Sequence, residues 1–169
     1  QTCALPIYIN IDIVDIYLVG YNGLNPTING SININIENYK KENNYGEYNI
    51  IIENLLIQNN NGNIKYLIYI KSGENKILFK NNRLISDDGI LYIEGGESKL
   101  ELLENRIYLT KLIDNNINIE KLRKLTFQNN LIKIDNKKER DNVVLCVNDI
   151  NCKVLINNNK IYGLLYRSE

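Results

Sequence analysis

Isoleucine alternates with polar residues through much of this chain, and that period of two constrains the fold more than any other feature. A β-strand points successive side chains to opposite faces, so alternation predicts strands with one apolar face. The clearest run is residues 32–36, where three isoleucines alternate with Asn33 and Asn35. Because β-branched side chains also suit a pleated surface, the pattern predicts an all-β protein.

Turn-forming residues separate the alternating runs, for example at Asp87-Asp88-Gly89 and at Asn157-Asn158-Asn159. Asn, Asp and Gly tolerate the left-handed conformation that tight turns require. We therefore predict an elongated, curled, mostly antiparallel meander sheet that forms a β-groove, with a β-sandwich or a β-helix as the alternatives. The runs repeat without a fixed period, which argues against a regular β-solenoid. Residues 118–125 could instead form one or two helical turns.

The first seven residues differ in character from the rest of the chain. Residues 1–7 resemble the translation of a sequencing-adapter end, and Ala4 within them is the sole alanine of the protein. We exclude this segment from the fold prediction as an expected artefact. Residues 8–169 show no linker or shift in composition, so we expect one continuous β-rich region that is a fragment of a longer protein.

Charge and composition narrow the functional classes. The 20 basic and 20 acidic residues cancel, which gives no electrostatic basis for binding nucleic acid. Histidine is absent, so no His-based general base or metal ligand exists, and the Asp87-Asp88 pair fits a turn better than a catalytic site. No run approaches the ~18 apolar residues of a membrane helix. We predict a non-enzymatic protein with no cofactor or metal, no nucleic-acid partner and no transmembrane segment in the fragment.

The cysteines and the tyrosines have two interpretations each. Cys146 and Cys152 could form a disulfide across a hairpin, or they could be two ordinary buried thiols. The 12 tyrosines could stack on bases or sugars, but most alternate within strands, so we expect them to pack on half-buried faces. The abundant asparagine is attributed mainly to AT-rich codon usage.

One stretch is more specific than the others. A strand over residues 14–20 ends in Gly20, and a segment containing Pro26 and Gly30 leads into the alternating strand up to residue 36. This arrangement resembles the recurring unit of TamB-like proteins, the translocation and assembly module group of the AsmA-like superfamily. Residues 89–95 and 159–163 are weaker echoes of the same unit.

The resemblance implies a segment of the cell envelope of a diderm bacterium. It would span part of the periplasm and take part in lipid transfer between the inner and outer membranes or in outer-membrane assembly. Its partners would be phospholipid acyl chains and an outer-membrane barrel. Because an acyl chain costs about 0.8 kcal/mol per methylene in water, an apolar trough would lower the barrier to crossing.

The one-sided apolar rows would line that trough, or they would close on one another as an ordinary core. The candidate lining residues are Ile9, Ile11, Ile13, Ile32, Ile34, Ile36, Ile64, Tyr66, Ile68 and Ile70. The alternative function is a surface adhesin or autotransporter passenger β-domain, for which stacked parallel rungs with a closed core are expected. A structural β-domain of an AT-rich eukaryote or virus is a further alternative.

Overall fold

The strands of this protein wind into a three-sided parallel β-solenoid. The computed structural model describes residues 2–3, 7–10, 15–21, 26–36, 48–59, 64–110, 116–134, 144–148 and 151–162. Within these ranges the regular structure is all strand, without a helix. Each rung of the solenoid contributes one strand segment to each of three faces, and the same face of the next rung pairs with it.

The strands fall into three faces, which we call faces 1, 2 and 3. Face 1 contains β2 (Ile7–Asn10), β5 (Ile32–Asn35), β8 (Tyr66–Lys71) and β15 (Leu145–Asn148). Face 2 contains β3 (Asp15–Val19), β6 (Tyr48–Glu53), β9 (Asn75–Lys80) and β16 (Lys153–Asn157). Face 3 contains β1 (Thr2–Cys3), β4 (Thr27–Asn29), β7 (Leu56–Asn59), β10 (Arg83–Ser86), β12 (Arg106–Leu109), β14 (Leu131–Ile134) and β17 (Lys160–Tyr162). The long strands β11 (Gly89–Leu103) and β13 (Ile117–Gln128) bend from face 1 into face 2.

Every strand pair described is parallel, so the prediction of an antiparallel meander was wrong. On face 3, Leu56, Arg83, Arg106, Leu131 and Lys160 are register partners in successive rungs. The turn residues that separate strands in the sequence therefore form corners between faces and not hairpins. Alternation specifies a strand with one buried face, but it does not specify the direction of the neighbouring strand. The pattern was therefore compatible with both antiparallel and parallel pairing. The β-helix alternative describes the architecture.

The argument against a solenoid also failed, for a physical reason. Successive register partners on face 3 are separated by unequal numbers of residues. The extra residues lie between the strands, while pairing within each face stays in register. A constant repeat length is therefore not needed for regular stacking, because loops at corners absorb the difference.

The interior is filled by columns of apolar side chains, one per inward-facing strand position. On face 2, the column of Ile52, Phe79, Leu102 and Phe127 follows the register and is at most 1% exposed. Face 3 contributes a parallel column, and face 1 contributes two. Burying each such side chain contributes about 1.5–3 kcal/mol. The columns from the three faces meet in a single continuous core.

A ladder of buried asparagines holds the corner between faces 2 and 3. Asn82, Asn105, Asn130 and Asn159 occupy the same place in four successive rungs, and the first three are at most 1% exposed. Asn105 Nδ2 donates to Phe79 O at 3.0 Å and to Asn130 Oδ1 at 3.1 Å, and its Oδ1 accepts from Asn82 N and Nδ2. An amide can both donate and accept, so Asn105 satisfies a carbonyl and an N–H of the preceding rung and also contacts the asparagine of the following rung.

The residue before each ladder asparagine has a left-handed backbone. Asn81, Glu104, Asn129 and Asn158 have φ of 52–59°. Asn54 adopts the same conformation in the rung before the ladder. In that rung Leu55 occupies the position of the ladder asparagine, and its backbone N–H donates to Asn82 Oδ1 at 3.1 Å. Asn adopts this conformation at lower cost than most residues, and that explains its recurrence at the corner.

One smaller prediction was wrong and another stays open. The segment 118–125, considered for a helical turn, lies within strand β13. Gly95-Gly96 lies within β11, where Gly96 has φ of 54° and the register shifts. Of the expected adapter segment, residues 2–3 form β1 and pair with β4, which leaves the origin of residues 1–7 a prediction.

Replacing the central ladder residue, Asn105→Ala, should destabilise the fold by about 3 kcal/mol. The change leaves the carbonyl of Phe79 and the donors of Asn82 buried without partners, each costing about 1–3 kcal/mol with partial relaxation. Urea unfolding followed by circular dichroism measures this. The control Asn157→Ala removes an exposed amide on β16 and should stay within about 0.5 kcal/mol of wild type. An Asn105→Ala variant as stable as the control would contradict the ladder.

Candidate binding site

The residues predicted to line a lipid groove lie mainly inside the solenoid. Ile32, Ile34, Ile68 and Ile70 are fully buried, and Ile36 is nearly so. They pack against neighbouring rungs and form two interior columns of face 1. Ile11 and Ile13 lie outside the described residues, as does the side chain of Ile9. Of the predicted residues whose side chains the structure describes, Ile64 and Tyr66 line an outward-opening pocket.

The two cysteines lie beside different faces of the solenoid. Cys146 lies on β15 of face 1 in register with Asn118, and its thiol donates to Asn148 Oδ1 at 3.0 Å. Cys152 precedes β16 of face 2 and packs against the core. Because β15 and β16 each pair with β13 and not with each other, they do not form the expected hairpin, and the disulfide stays a prediction.

The outer surface of face 1 presents two columns of side chains. The first follows the register from Asn33 through Tyr69, Tyr92 and Asn118 to Cys146. The second lies two residues further along each strand. It consists of Asn35, Lys71, Glu94, Glu120 and Asn148. In-register stacking thus places residues from five rungs, far apart in the sequence, about 4.8 Å from their neighbours.

Tyr69 and Tyr92 form the centre of the first column. Their rings are stacked with centroids 5.0 Å apart and planes inclined by 6°. That separation matches the rung spacing, so the rings stack along the solenoid axis. One face of Tyr69 is therefore directed toward the preceding rung, where its register partner is the shorter Asn33.

A third tyrosine closes the side of this stack. Tyr66 is 9% exposed, and its ring lies 5.3 Å from that of Tyr92 at a tilt of 45°. Gly89 is the register partner of Tyr66, and a Cβ at Gly89 would lie 2.4 Å from Cδ1 of the Tyr66 ring. The glycine therefore makes the space that this ring occupies. The Lys65 ammonium lies 5.7 Å from the ring centroid.

The three rings border an outward-opening pocket of about 330 Å³. Its lining combines ring carbons with amide, ammonium and hydroxyl groups. The lining residues are Asn33, Ile64, Lys65, Tyr66, Tyr69 and Tyr92. A concave, partly apolar surface with a few converging polar groups is the usual form of a small-molecule site.

Polar groups on the next rungs tie the tyrosine hydroxyls in place. Glu120 accepts from Asn118 Nδ2 at 3.2 Å, and Asn118 Oδ1 accepts from Asn148 Nδ2 at 3.2 Å. Burial raises the pKa of Tyr92 to about 12, and its hydrogen bond to Glu120 and the nearby charges act in the same direction. Burial likewise raises the pKa of Tyr66, with a smaller opposing effect from its hydrogen bond to Asn118. Both phenols are therefore neutral donors at physiological pH.

Glu94 organises the charges beside the pocket. Its carboxylate forms ion pairs with Lys71 at 3.2 Å and with Lys121. Hydrogen bonds from Lys121 and Lys71 lower the pKa of Glu94. The hydrogen bond between Lys121 and Glu94 also raises the pKa of Lys121. Between 20% and 63% of each side chain is exposed, so solvent screens the pairs and they add little to stability. The single carboxylate balances one of the two lysine charges next to the pocket.

The tyrosine pocket is the candidate site that the sequence analysis missed. Tyr69 and Tyr92 were assigned to packing because they lie within strands. A signal was nonetheless present: both precede an Ile and a charged residue, in Tyr69-Ile70-Lys71 and Tyr92-Ile93-Glu94. Aligning these two triplets as successive rungs would have placed the rings against each other.

Comparisons of the chain with protein-family models, curated proteins and solved structures found no match. The TamB-like resemblance therefore stays a prediction. Among the residues that the structure describes, no helix is long and apolar enough to span a membrane. The same residues contain no cluster of three or more potential metal ligands.

Changing the acceptor of the Tyr92 hydroxyl, Glu120→Gln, should lower the pKa of Tyr92 while leaving it above 10. The carboxylate contribution disappears, but burial, the largest cause of the shift, persists. Because the folded-state pKa is raised, the stability associated with this phenol is complete below pH 10.0 and is lost as the pH rises toward about 12.

Titration of the tyrosine ring signals by NMR measures this change. Glu101→Gln, on face 2, is the matched control and should leave the Tyr92 signal unchanged. An unaltered Tyr92 titration in Glu120→Gln would contradict the assigned contact.

Proposed function

We propose that this chain is the solenoid segment of a surface adhesin or autotransporter passenger, acting by binding and not by catalysis. The observation that supports this best is the closed parallel solenoid, whose own side chains fill the interior. Its outer faces remain available as rigid display surfaces. Extended binding surfaces are a common use of such repeat architectures.

Rung-by-rung stacking also suits a protein that must fold after crossing a membrane. Each rung contacts only its neighbours, so folding can begin at one end and propagate as the chain emerges. The asparagine ladder provides a hydrogen-bonded template on each completed rung, as Asn130 does for Asn105 through contacts at 2.9 and 3.1 Å.

Lipid transfer along an open trough is less well supported. A trough would require apolar side chains exposed in a continuous row. The isoleucines predicted to line it on β5 and β8 instead have no exposed surface. Lipid transfer stays a prediction without a direct test, and the burial of these side chains favours the adhesin.

Antibody labelling of intact cells of the source organism tests the surface location. We expect antibodies raised against the purified protein to label unpermeabilised cells, and protease added outside to remove the label. Labelling that appears only after the envelope is permeabilised would contradict the proposal.

Lipid uptake by the purified, delipidated protein separates the two functions. Because the solenoid interior is filled, we expect no labelled phospholipid to comigrate with the protein in size-exclusion chromatography. A lipid-transfer protein of known activity is the positive control for the assay. Stoichiometric retention of phospholipid would overturn the adhesin in favour of the trough.

A further inference from the structure

Tyr69 lies between a stacked ring and a pocket on face 1. Among the described residues its ring stacks on Tyr92 in the following rung, and its register partner in the preceding rung is Asn33. Tyr69 and Asn33 both line the pocket of about 330 Å³, which therefore combines a flat aromatic ring with an amide.

We propose that this pocket binds a neutral saccharide, with one sugar ring stacked on Tyr69. The inference rests on the proposed surface function and specifies the ligand class of that surface. A pyranose ring presents a face of C–H groups, which are attracted to the electron-rich face of an aromatic ring. Its hydroxyl groups both donate and accept hydrogen bonds.

The polar lining matches those hydroxyl groups. The Asn33 amide supplies donor and acceptor groups, and the Lys65 ammonium supplies donors at the rim. A hydroxyl group can both donate and accept, so the tyrosine hydroxyls can share hydrogen bonds with a sugar. The pocket volume lies at the lower end of the range for small-molecule sites, about 300–1,000 Å³, which suits one or two sugar rings.

The charges around the pocket argue for an uncharged ligand. Lys71 and Lys121 are paired with Glu94, which leaves Lys65 as the cationic group in the pocket lining. Glu120 lies on the same face, in register with Glu94. Glu94 and Glu120 balance Lys71 and Lys121, so the single positive charge of Lys65 remains among these groups. A nucleotide also stacks on aromatic rings, but the negative charge of its phosphates exceeds this one positive charge.

Isothermal titration calorimetry on the whole chain tests the proposal with three probes: cellohexaose, maltohexaose and N-acetylchitohexaose. We expect at least one to bind. Tyr69→Ala should weaken that binding about tenfold or more, since it removes the stacking surface. The control Tyr108→Ala alters a tyrosine on face 3, where Arg83 lies over the ring at 5.2 Å, and should leave the affinity within about twofold.

A filling variant separates binding from folding. Asn33→Phe continues the aromatic column into the pocket, so it should abolish saccharide binding without lowering the midpoint of urea unfolding. Absence of binding by all three probes would overturn the proposal. So would tighter binding of adenosine monophosphate than of any saccharide, or binding that survives both Tyr69→Ala and Asn33→Phe.

The outcome is independent of the test of the proposed function. Surface labelling without saccharide binding would refute the ligand class and leave the adhesin standing. Saccharide binding by a protein that is labelled only in permeabilised cells would support the pocket and refute the surface location.

Discussion

In-register stacking of parallel rungs is the constraint on which the rest of this structure depends. Once each rung lies directly over the previous one, like positions form columns, and each column needs side chains that tolerate identical neighbours. Isoleucine, leucine and phenylalanine meet this requirement inside the solenoid. Asparagine meets it at a buried corner, because its amide accepts from the preceding rung and donates to the following one. The same stacking aligns Tyr69 with Tyr92 on the outer surface.

The sequence predicted the strands well and their arrangement poorly. Alternation of isoleucine with polar residues identified β5 and β8, because the side-chain period of a strand is local. Strand direction depends on the path of the chain between strands, and the corners resemble hairpin turns in composition. Asn129 and Asn158 adopt the left-handed conformation that a hairpin would also use.

A signal for the solenoid was present but was attributed to codon usage. The segments Asn81-Asn82-Arg83-Leu84, Glu104-Asn105-Arg106-Ile107 and Asn129-Asn130-Leu131-Ile132 share a left-handed residue, a ladder asparagine, an outward residue and a core residue in that order. Their spacing is unequal, so a search for a constant period overlooks them. Aligning them by pattern would have given the register of face 3.

The candidate site also depends on the register between strands, which local sequence does not specify. Tyr66, Tyr69 and Tyr92 converge only when β8 and β11 are stacked in register, and no local pattern specifies that contact. The need for Gly89 is likewise visible only once the ring of Tyr66 is placed over it. Sequence reasoning could classify these tyrosines as strand residues, whereas their function as a surface depends on the register.

Disulfide trapping between rungs tests the parallel register most directly. Arg83→Cys and Arg106→Cys are exposed register partners on face 3, and adjacent strands about 4.8 Å apart are within disulfide reach. In a chain whose native cysteines are replaced by serine, this pair should cross-link rapidly on mild oxidation. The pair Arg83→Cys with Lys133→Cys, two rungs away and out of register, should not. Failure of the first pair to cross-link, or equal cross-linking of both, would contradict the solenoid.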